Sequence, residues 1–176
     1  MQRKGITFLL IAIIVLTGIC LCFPTKQVET EYLRIHVRAN SNSTQDQALK
    51  MVVKDAIVEY LTPFIAECDT KKKAEVLLTD RLTQIESVAN NTIEKRGYSY
   101  KSKASVRVEK FPTRKYGALE LKSGYYQALI VELGEGVGDN WWCVVYPPLC
   151  FTGETKNVVY RSKILDIISA FFQKGE

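Results

Sequence analysis

Two stretches in the first half of the chain repeat apolar residues at steps of three and four positions, which is the spacing of an amphipathic helix. Ser43 and Asp46 open the first stretch with a cap and a first-turn acid that suits the helix dipole. The second begins near Asp69 or Thr70, and Gly97 sits where a C-terminal cap is expected. We predict an antiparallel pair of helices whose apolar stripes pack against a sheet. The apolar positions are Leu49, Val52, Val53, Ala56, Ile57, Tyr60, Leu61 and Phe64, then Ala74, Leu77, Leu78, Leu82, Ile85, Ala89 and Ile93.

Alternating apolar and polar positions predict the strands of that sheet. Residues 30–38 are predicted to form the first strand. Residues 98–109 place apolar and charged side chains on opposite parities, which predicts a strand with one face exposed to solvent. Residues 125–133 and 141–146 are predicted to be buried strands joined by the glycine-rich turn 134–140. A short amphipathic helix follows near residues 164–171. This order predicts an α+β fold, with an antiparallel sheet covered on one face by the antiparallel helix pair.

The first 23 residues have a different pattern. Arg3 and Lys4 precede an apolar run, residues 6–23, that contains no charged residue. This layout is typical of an export signal or a membrane anchor, so we expect an N-terminal signal or anchor helix, with membrane contact if it is not cleaved. Cleavage and anchoring both stay open. We therefore predict a signal or anchor at 1–23, a short linker at 24–29 and a single extracytoplasmic domain at 30–176.

Composition and charge narrow the class of partner. The chain is 47% hydrophobic and 24% charged, which is ordinary for a globular protein. Its formal net charge of +5 falls to +3 once Arg3 and Lys4 are set aside with the export segment. So mild a charge on an exported domain argues against nucleic acid as a partner.

Candidate catalytic chemistry is sparse. His36 is the only histidine, which excludes metal sites and proton relays that need two, and we expect no metal and no cofactor. The strongest catalytic alternative pairs Cys143 as nucleophile with His36 as base, in an exported hydrolase acting on cell-wall material. Cys143, however, lies within an apparent strand and could instead form a disulfide with Cys150 across the Pro147-Pro148 reversal. Both alternatives stay open, and the disulfide would leave Cys68 as a lone thiol.

Aromatic and rigid residues are concentrated between positions 141 and 151. Tryptophan and tyrosine are favoured at protein interfaces because they bury a large area at little entropic cost. Adjacent residues on a strand face opposite ways, so at least one of Trp141 and Trp142 should be exposed or covered by a partner. We therefore predict an interface role for part of this segment.

Three motifs carry a resemblance to a known family. They are RIHVRANSNS at residues 34–43, DQALK at 46–50 and GDNWWCVVYPPLCF at 138–151. With these motifs the chain resembles the stage II sporulation protein R family over about residues 31–152. Asn42 stands where an acid would be expected between the two serines, a small departure from the family pattern.

The resemblance implies both a function and a location outside the cytoplasm. Members of that family are made in the forespore and exported to the space between forespore and mother cell. There they trigger a membrane-embedded aspartic protease of the mother-cell membrane, which cleaves the precursor of the early mother-cell sigma factor. The resemblance thus implies a signalling ligand and not an enzyme; a septal envelope scaffold is the further alternative. The predicted partner-binding residues are Arg34, His36, Arg38, Asn40, Asn140, Trp141, Trp142, Tyr146, Pro147 and Pro148.

Overall fold

The computed structural model describes residues 28–117, 119–151 and 158–174. The predicted signal or anchor helix at residues 1–23 lies outside these ranges. Within them, no helix combines the length and the apolar character that a bilayer crossing requires.

Six strands and four helices make up the described chain. Three helices lie between the first strand and the next, and the remaining strands follow in close succession. In chain order the elements are β1 (Val28–Arg38), α1 (Thr44–Ile65), α2 (Lys71–Asp80), α3 (Leu82–Lys95), β2 (Ser102–Phe111), β3 (Arg114–Tyr116), β4 (Leu119–Leu121), β5 (Gly124–Leu133), β6 (Asn140–Tyr146), a 3-10 turn (Leu149–Phe151) and α4 (Val158–Gln173).

The main sheet is mixed, which corrects the predicted antiparallel sheet. Its strand order is β2-β5-β1-β6, and β3 pairs with β4 in a separate two-stranded sheet. β5 runs antiparallel to β2 but parallel to β1, while β6 runs antiparallel to β1. The helices and β2 between β1 and β5 provide the long connection that a parallel pair needs. Apolar alternation carries no information on strand direction, so the sequence pattern could not distinguish the two arrangements.

The prediction of two helices is also corrected, because the second predicted helix is divided into α2 and α3. Arg81 separates them with φ −107° and ψ 12°, outside helical values. Its guanidinium Cζ lies 3.5 Å from the centroid of the Phe64 ring, and its Nη1 donates to the Tyr60 hydroxyl at 3.1 Å. The break is therefore fixed against α1, although the apolar stripe continues across it. At the start of α1, the predicted Ser43 cap is confirmed, since its Oγ accepts from the backbone N–H of Asp46 at 3.1 Å.

The main core lies between the sheet and the helices. β1 contributes Leu33, Ile35 and Val37, which are fully buried together with apolar residues of α1, α2 and α3. The predicted one-sided helix cover is thus present. The other face of the sheet is not the wet surface that the charged parity of β2 predicted. A second, smaller core of Phe111, Tyr126, Ala128 and Ile130 occupies it.

Candidate functional site

Five of the predicted partner-binding residues meet on the sheet face opposite α1, α2 and α3, which we call the second face. Arg34, His36 and Arg38 share one parity of β1, so their side chains point to the same side. His36 pairs with Trp142 of β6, and Trp142 packs on the second core. Asn140 pairs with Arg38 and supplies a side-chain hydrogen bond that raises the His36 pKa. The alternation of two neighbouring strands thus gathers these five residues.

Arg34 is the most buried cation of the second face, with no exposed surface. Its Cζ lies 4.2 Å from the centroid of the Phe111 ring and 4.7 Å from that of Tyr126. Nη2 donates to the Tyr116 hydroxyl at 2.8 Å. Nε and Nη1 are buried and have no hydrogen-bond partner among the described residues. The charge is therefore held by aromatic faces and a single neutral acceptor.

An ionic network lies beside Arg34 on the same face. Glu109 accepts from His36 Nδ1 at 3.0 Å and from Arg38 Nη2, and it contacts Arg107 Nη2 at 3.2 Å. Glu132 pairs with Arg38 Nη1 at 2.7 Å and with Arg107 Nη2 at 3.3 Å. The two carboxylates of this network are thus shared between two arginines and the histidine.

The His36 ring is uncharged at neutral pH. Burial lowers its pKa below the ordinary value and Arg38 lowers it further, against the hydrogen bond from Asn140 and the charge of Glu109, which raise it. The short contact with Glu109 alone would favour the protonated ring, but the cost of desolvating a charge is larger here.

Trp142 extends the second face towards solvent. Its ring centroid lies 5.3 Å from that of His36, and the Arg114 guanidinium of β3 stacks over it with Cζ at 4.2 Å. Trp141 points to the other side of the sheet, where it packs on the main core and lies 5.2 Å from Lys54 Nζ. The two tryptophans therefore occupy opposite faces, as alternation predicted, and both are half-buried.

The family described as Stage II sporulation protein R (spore_II_R) matches residues 29–156 of this chain. The chain belongs to this family. Stage II sporulation protein R of Bacillus subtilis (strain 168) is 35% identical over 124 residues, covering 70% of this chain and 55% of that protein. This chain therefore spans about half the length of that curated relative. No solved structure matches the chain.

The stage II sporulation protein R match covers everything from β1 to the 3-10 turn, and so includes the complete second face. It assigns the chain to the second stage of sporulation. The helix α4 lies beyond the matched range. The family match thus confirms the resemblance that the three motifs indicated.

Asn40, the fourth predicted residue of β1 and its following turn, connects two turns of the fold. Its Nδ2 donates to Asp46 Oδ2 at 2.9 Å, and its Oδ1 accepts from the backbone N–H of Glu135 at 2.9 Å. Asn42 Oδ1 accepts from the backbone N–H of Asp139 in the same way. The RANSNS motif therefore joins the β1–α1 turn to the β5–β6 turn.

Tyr146, Pro147 and Pro148 are buried in the free chain. The Tyr146 hydroxyl donates to the backbone carbonyl of Asp69 at 2.7 Å, which connects the end of β6 to the turn before α2. Burial, followed by the charge of Asp69, raises the pKa of this hydroxyl. Contact of these three residues with a partner stays a prediction.

The structure does not bring together the pair proposed for a thiol hydrolase. Cys143 is 2% exposed and belongs to the main core, whereas His36 is on the second face. Cys143 also forms a disulfide with Cys150, with Cα atoms 6.3 Å apart. Among the described residues no cluster of histidine, cysteine, aspartate and glutamate could hold a metal ion. Cys68 is buried, and burial raises its thiol pKa.

The parts of the second face contributed by β2 and β3 were not predicted from the sequence. Glu109, Phe111, Arg114 and Tyr116 all contact the predicted residues of β1 or β6. The available signal was the charged parity of β2, which pattern analysis assigns to solvent. Arg107 and Glu109 have this charged parity, and such residues can pair with charges of other strands in the sheet just as well as they can face solvent.

Proposed function

We propose that this chain is an exported signalling protein that binds and activates a membrane-embedded aspartic protease of the mother-cell membrane. The protease then processes the precursor of the early mother-cell sigma factor. Family membership supports the sporulation role. The observation that carries the binding role is the second face, where Arg34 and Trp142 keep buried polar atoms without partners in the described chain.

Activation by binding needs differential affinity. A ligand shifts its receptor towards an active arrangement only as far as it binds that arrangement more tightly. Protease dimerisation is one such arrangement. A rigid face presented by two strands of a mixed sheet suits this role, because the free protein has little conformational entropy left to lose there.

Reconstitution tests this role directly. The full chain, its cognate protease and the sigma-factor precursor are expressed in a cell that does not sporulate, and precursor cleavage is followed by immunoblot. We expect cleavage only when the chain is present with residues 1–23 intact, because the domain must reach the far side of the membrane. Equal cleavage without this chain, or with residues 1–23 removed, contradicts the proposal.

The two tryptophans of β6 provide a matched pair for locating the contact surface. They are adjacent and half-buried, but only Trp142 is on the second face. Trp142→Ala should lower the rate of cleavage by roughly 30-fold, the effect of losing an interface residue worth about 2 kcal/mol. Trp141→Ala should act through stability alone, so its cleavage per folded molecule should match the wild type. Equal loss in both variants would exclude the second face as the contact surface.

A further inference from the structure

The second face contains a buried positive charge with no anionic partner. Arg34 is fully buried, and its one hydrogen bond goes to the neutral hydroxyl of Tyr116. Glu109 and Glu132, the carboxylates of the same face, are engaged by other side chains of the network. A buried guanidinium is costly unless its donors are satisfied, so selection for stability alone does not explain Arg34.

The arrangement of donors on Arg34 points to the missing group. A guanidinium binds a carboxylate through two parallel N–H groups, either Nη1 with Nη2 or Nε with Nη2. Both forks use Nη2, each through a different one of its two hydrogens, and the Tyr116 hydroxyl accepts one of them. The other two nitrogens, Nε and Nη1, have no partner among the described residues. Tyr116 therefore stands where one oxygen of a carboxylate bound through that fork would lie.

In the described chain, the element that carries Tyr116 is not hydrogen-bonded into the main sheet. β3 and β4 contribute three residues each and pair only with each other in the described structure, separate from the main sheet. An isolated two-stranded pairing of this size has little stability of its own. Arg114 of the same strand stacks over Trp142. Displacement of β3 would thus release Arg34 Nη2 and uncover Trp142 in one step.

We propose that Arg34 is the centre of a carboxylate site that β3 and β4 cover in the free protein. An acidic segment of a protein partner displaces Tyr116 and forms a bidentate pair with Arg34. The rings of Phe111 and Tyr126, which hold the guanidinium from its faces, favour an acid flanked by apolar residues. That the partner is the membrane protease rests on the function proposed above; the carboxylate site itself does not.

One arm of the test compares stability with activity in the full chain. Arg34→Met keeps a flexible, unbranched apolar side chain in place of the buried stem and removes the unpaired charge. We expect an unchanged or higher melting temperature together with loss of precursor cleavage, which a purely structural arginine would not give. Lys115→Met is the matched control, because Lys115 neighbours Tyr116 in β3 but is solvent-exposed and pairs with Glu120. It should retain cleavage. An active Arg34→Met variant overturns the protease as the partner that binds this site.

A second arm needs no protease, so it separates this inference from the proposed function. Melting of the detergent-solubilised full chain is measured with Ac-Phe-Glu-Phe-NH2, with Ac-Phe-Gln-Phe-NH2 and with Ac-Phe-Gln-Phe carrying a free C-terminus. The first peptide supplies a side-chain carboxylate, the second none and the third a terminal carboxylate. We expect a carboxylate peptide, but not the amide control, to stabilise the wild type. Whichever carboxylate peptide stabilises identifies the source.

The variants make the second arm decisive. Stabilisation should disappear in Arg34→Met. It should need about fivefold less peptide in Tyr116→Phe, because the hydroxyl that competes for Nη2 is gone. Stabilisation by the glutamine amide control equal to that by the carboxylate peptides, or stabilisation that persists in Arg34→Met, overturns the carboxylate site.

Discussion

Asp46 shows how much of the local architecture depends on a single carboxylate. It is 6% exposed and accepts from Asn40 Nδ2 at 2.9 Å, from the Tyr100 hydroxyl at 2.8 Å and from the Ser41 hydroxyl at 2.5 Å. Burial alone would raise its pKa, but the hydrogen bonds from Ser41, Asn40, Tyr100 and Ser43 together lower it. Burial and Asp46 in turn raise the pKa of Tyr100, so the phenol stays a donor.

We expect Asp46→Ala to lower the free energy of unfolding by about 3 kcal/mol, because it leaves several buried donors without an acceptor. Urea denaturation at neutral pH measures the loss. Glu59→Ala, in an exposed position of the same helix, should change stability by less than about 0.5 kcal/mol. A similar small effect for Asp46→Ala would show that the turn is held by other contacts.

At the scale of elements, α3 blocks one edge of the sheet. Asn90 Oδ1 accepts from the backbone N–H of Ser102 at 2.7 Å, and Glu86 Oε1 accepts from that of Ala104 at 2.7 Å. These two N–H groups are two residues apart and both point away from β5. Side chains of α3 therefore satisfy donors of β2 that would otherwise be available to another strand.

We expect Asn90→Ala and Glu86→Ala to destabilise the fold by about 1–2 kcal/mol each. Combined, they should also cause concentration-dependent association, because the edge of β2 is then open. Urea denaturation measures the first effect and analytical ultracentrifugation the second. Glu94→Ala provides the control on the same helix, since that side chain is 74% exposed. A double variant that stays monomeric would show that the edge is protected by shape alone.

Sequence periodicity predicts the elements better than their arrangement. The stripes that end in Ile93 identify helical turns correctly, but the stripe is continuous across Arg81, where the backbone leaves the helix. β5 is apolar on both parities, which correctly indicates a central strand. It lies between β2 and β1 in the sheet, and most of its side chains on both faces are buried. Its parallel pairing with β1 depends on the path of a long connection, which no local pattern contains.

The site was predicted only in part, for a related reason. Arg34, His36 and Arg38 could be placed on one side of β1 from alternation alone, and at least one of Trp141 and Trp142 was predicted to be exposed or covered by a partner. The charged side of β2 joins them through ion pairs of Glu109 with His36 and Arg38. Tyr116, which bonds Arg34, is 82 positions away in the chain. Such contacts are set by the assembled sheet.

The whole molecule is built around a sheet with two dissimilar faces. The face under the helices is apolar, and its burial is the main source of stability. The second face buries Arg34 and His36 and partly buries the ion pairs of Glu109 and Glu132 around a small aromatic core. The second face thus buries charged groups that cost stability, an arrangement that is more frequent at functional surfaces than in structural cores.

The neutral His36 at the centre of the second face makes the stability of the whole fold depend on pH. Its pKa is lowered from 6.5 in the folded state, chiefly by burial, while Glu109 and Asn140 oppose the shift and Arg38 adds to it. Below about pH 6.5 the unfolded chain therefore binds a proton at His36 that the folded chain does not bind. The free energy of unfolding consequently decreases as the pH is lowered, until the folded pKa is reached. Asp46, whose pKa is lowered from 3.8, loses its contribution only in more acidic solution. We expect urea midpoints between pH 7.5 and 5 to fall more steeply for the wild type than for His36→Gln, which keeps a neutral polar side chain. Parallel profiles would show that His36 titrates alike in both states, and a steeper fall for His36→Gln would mean that Glu109 outweighs burial.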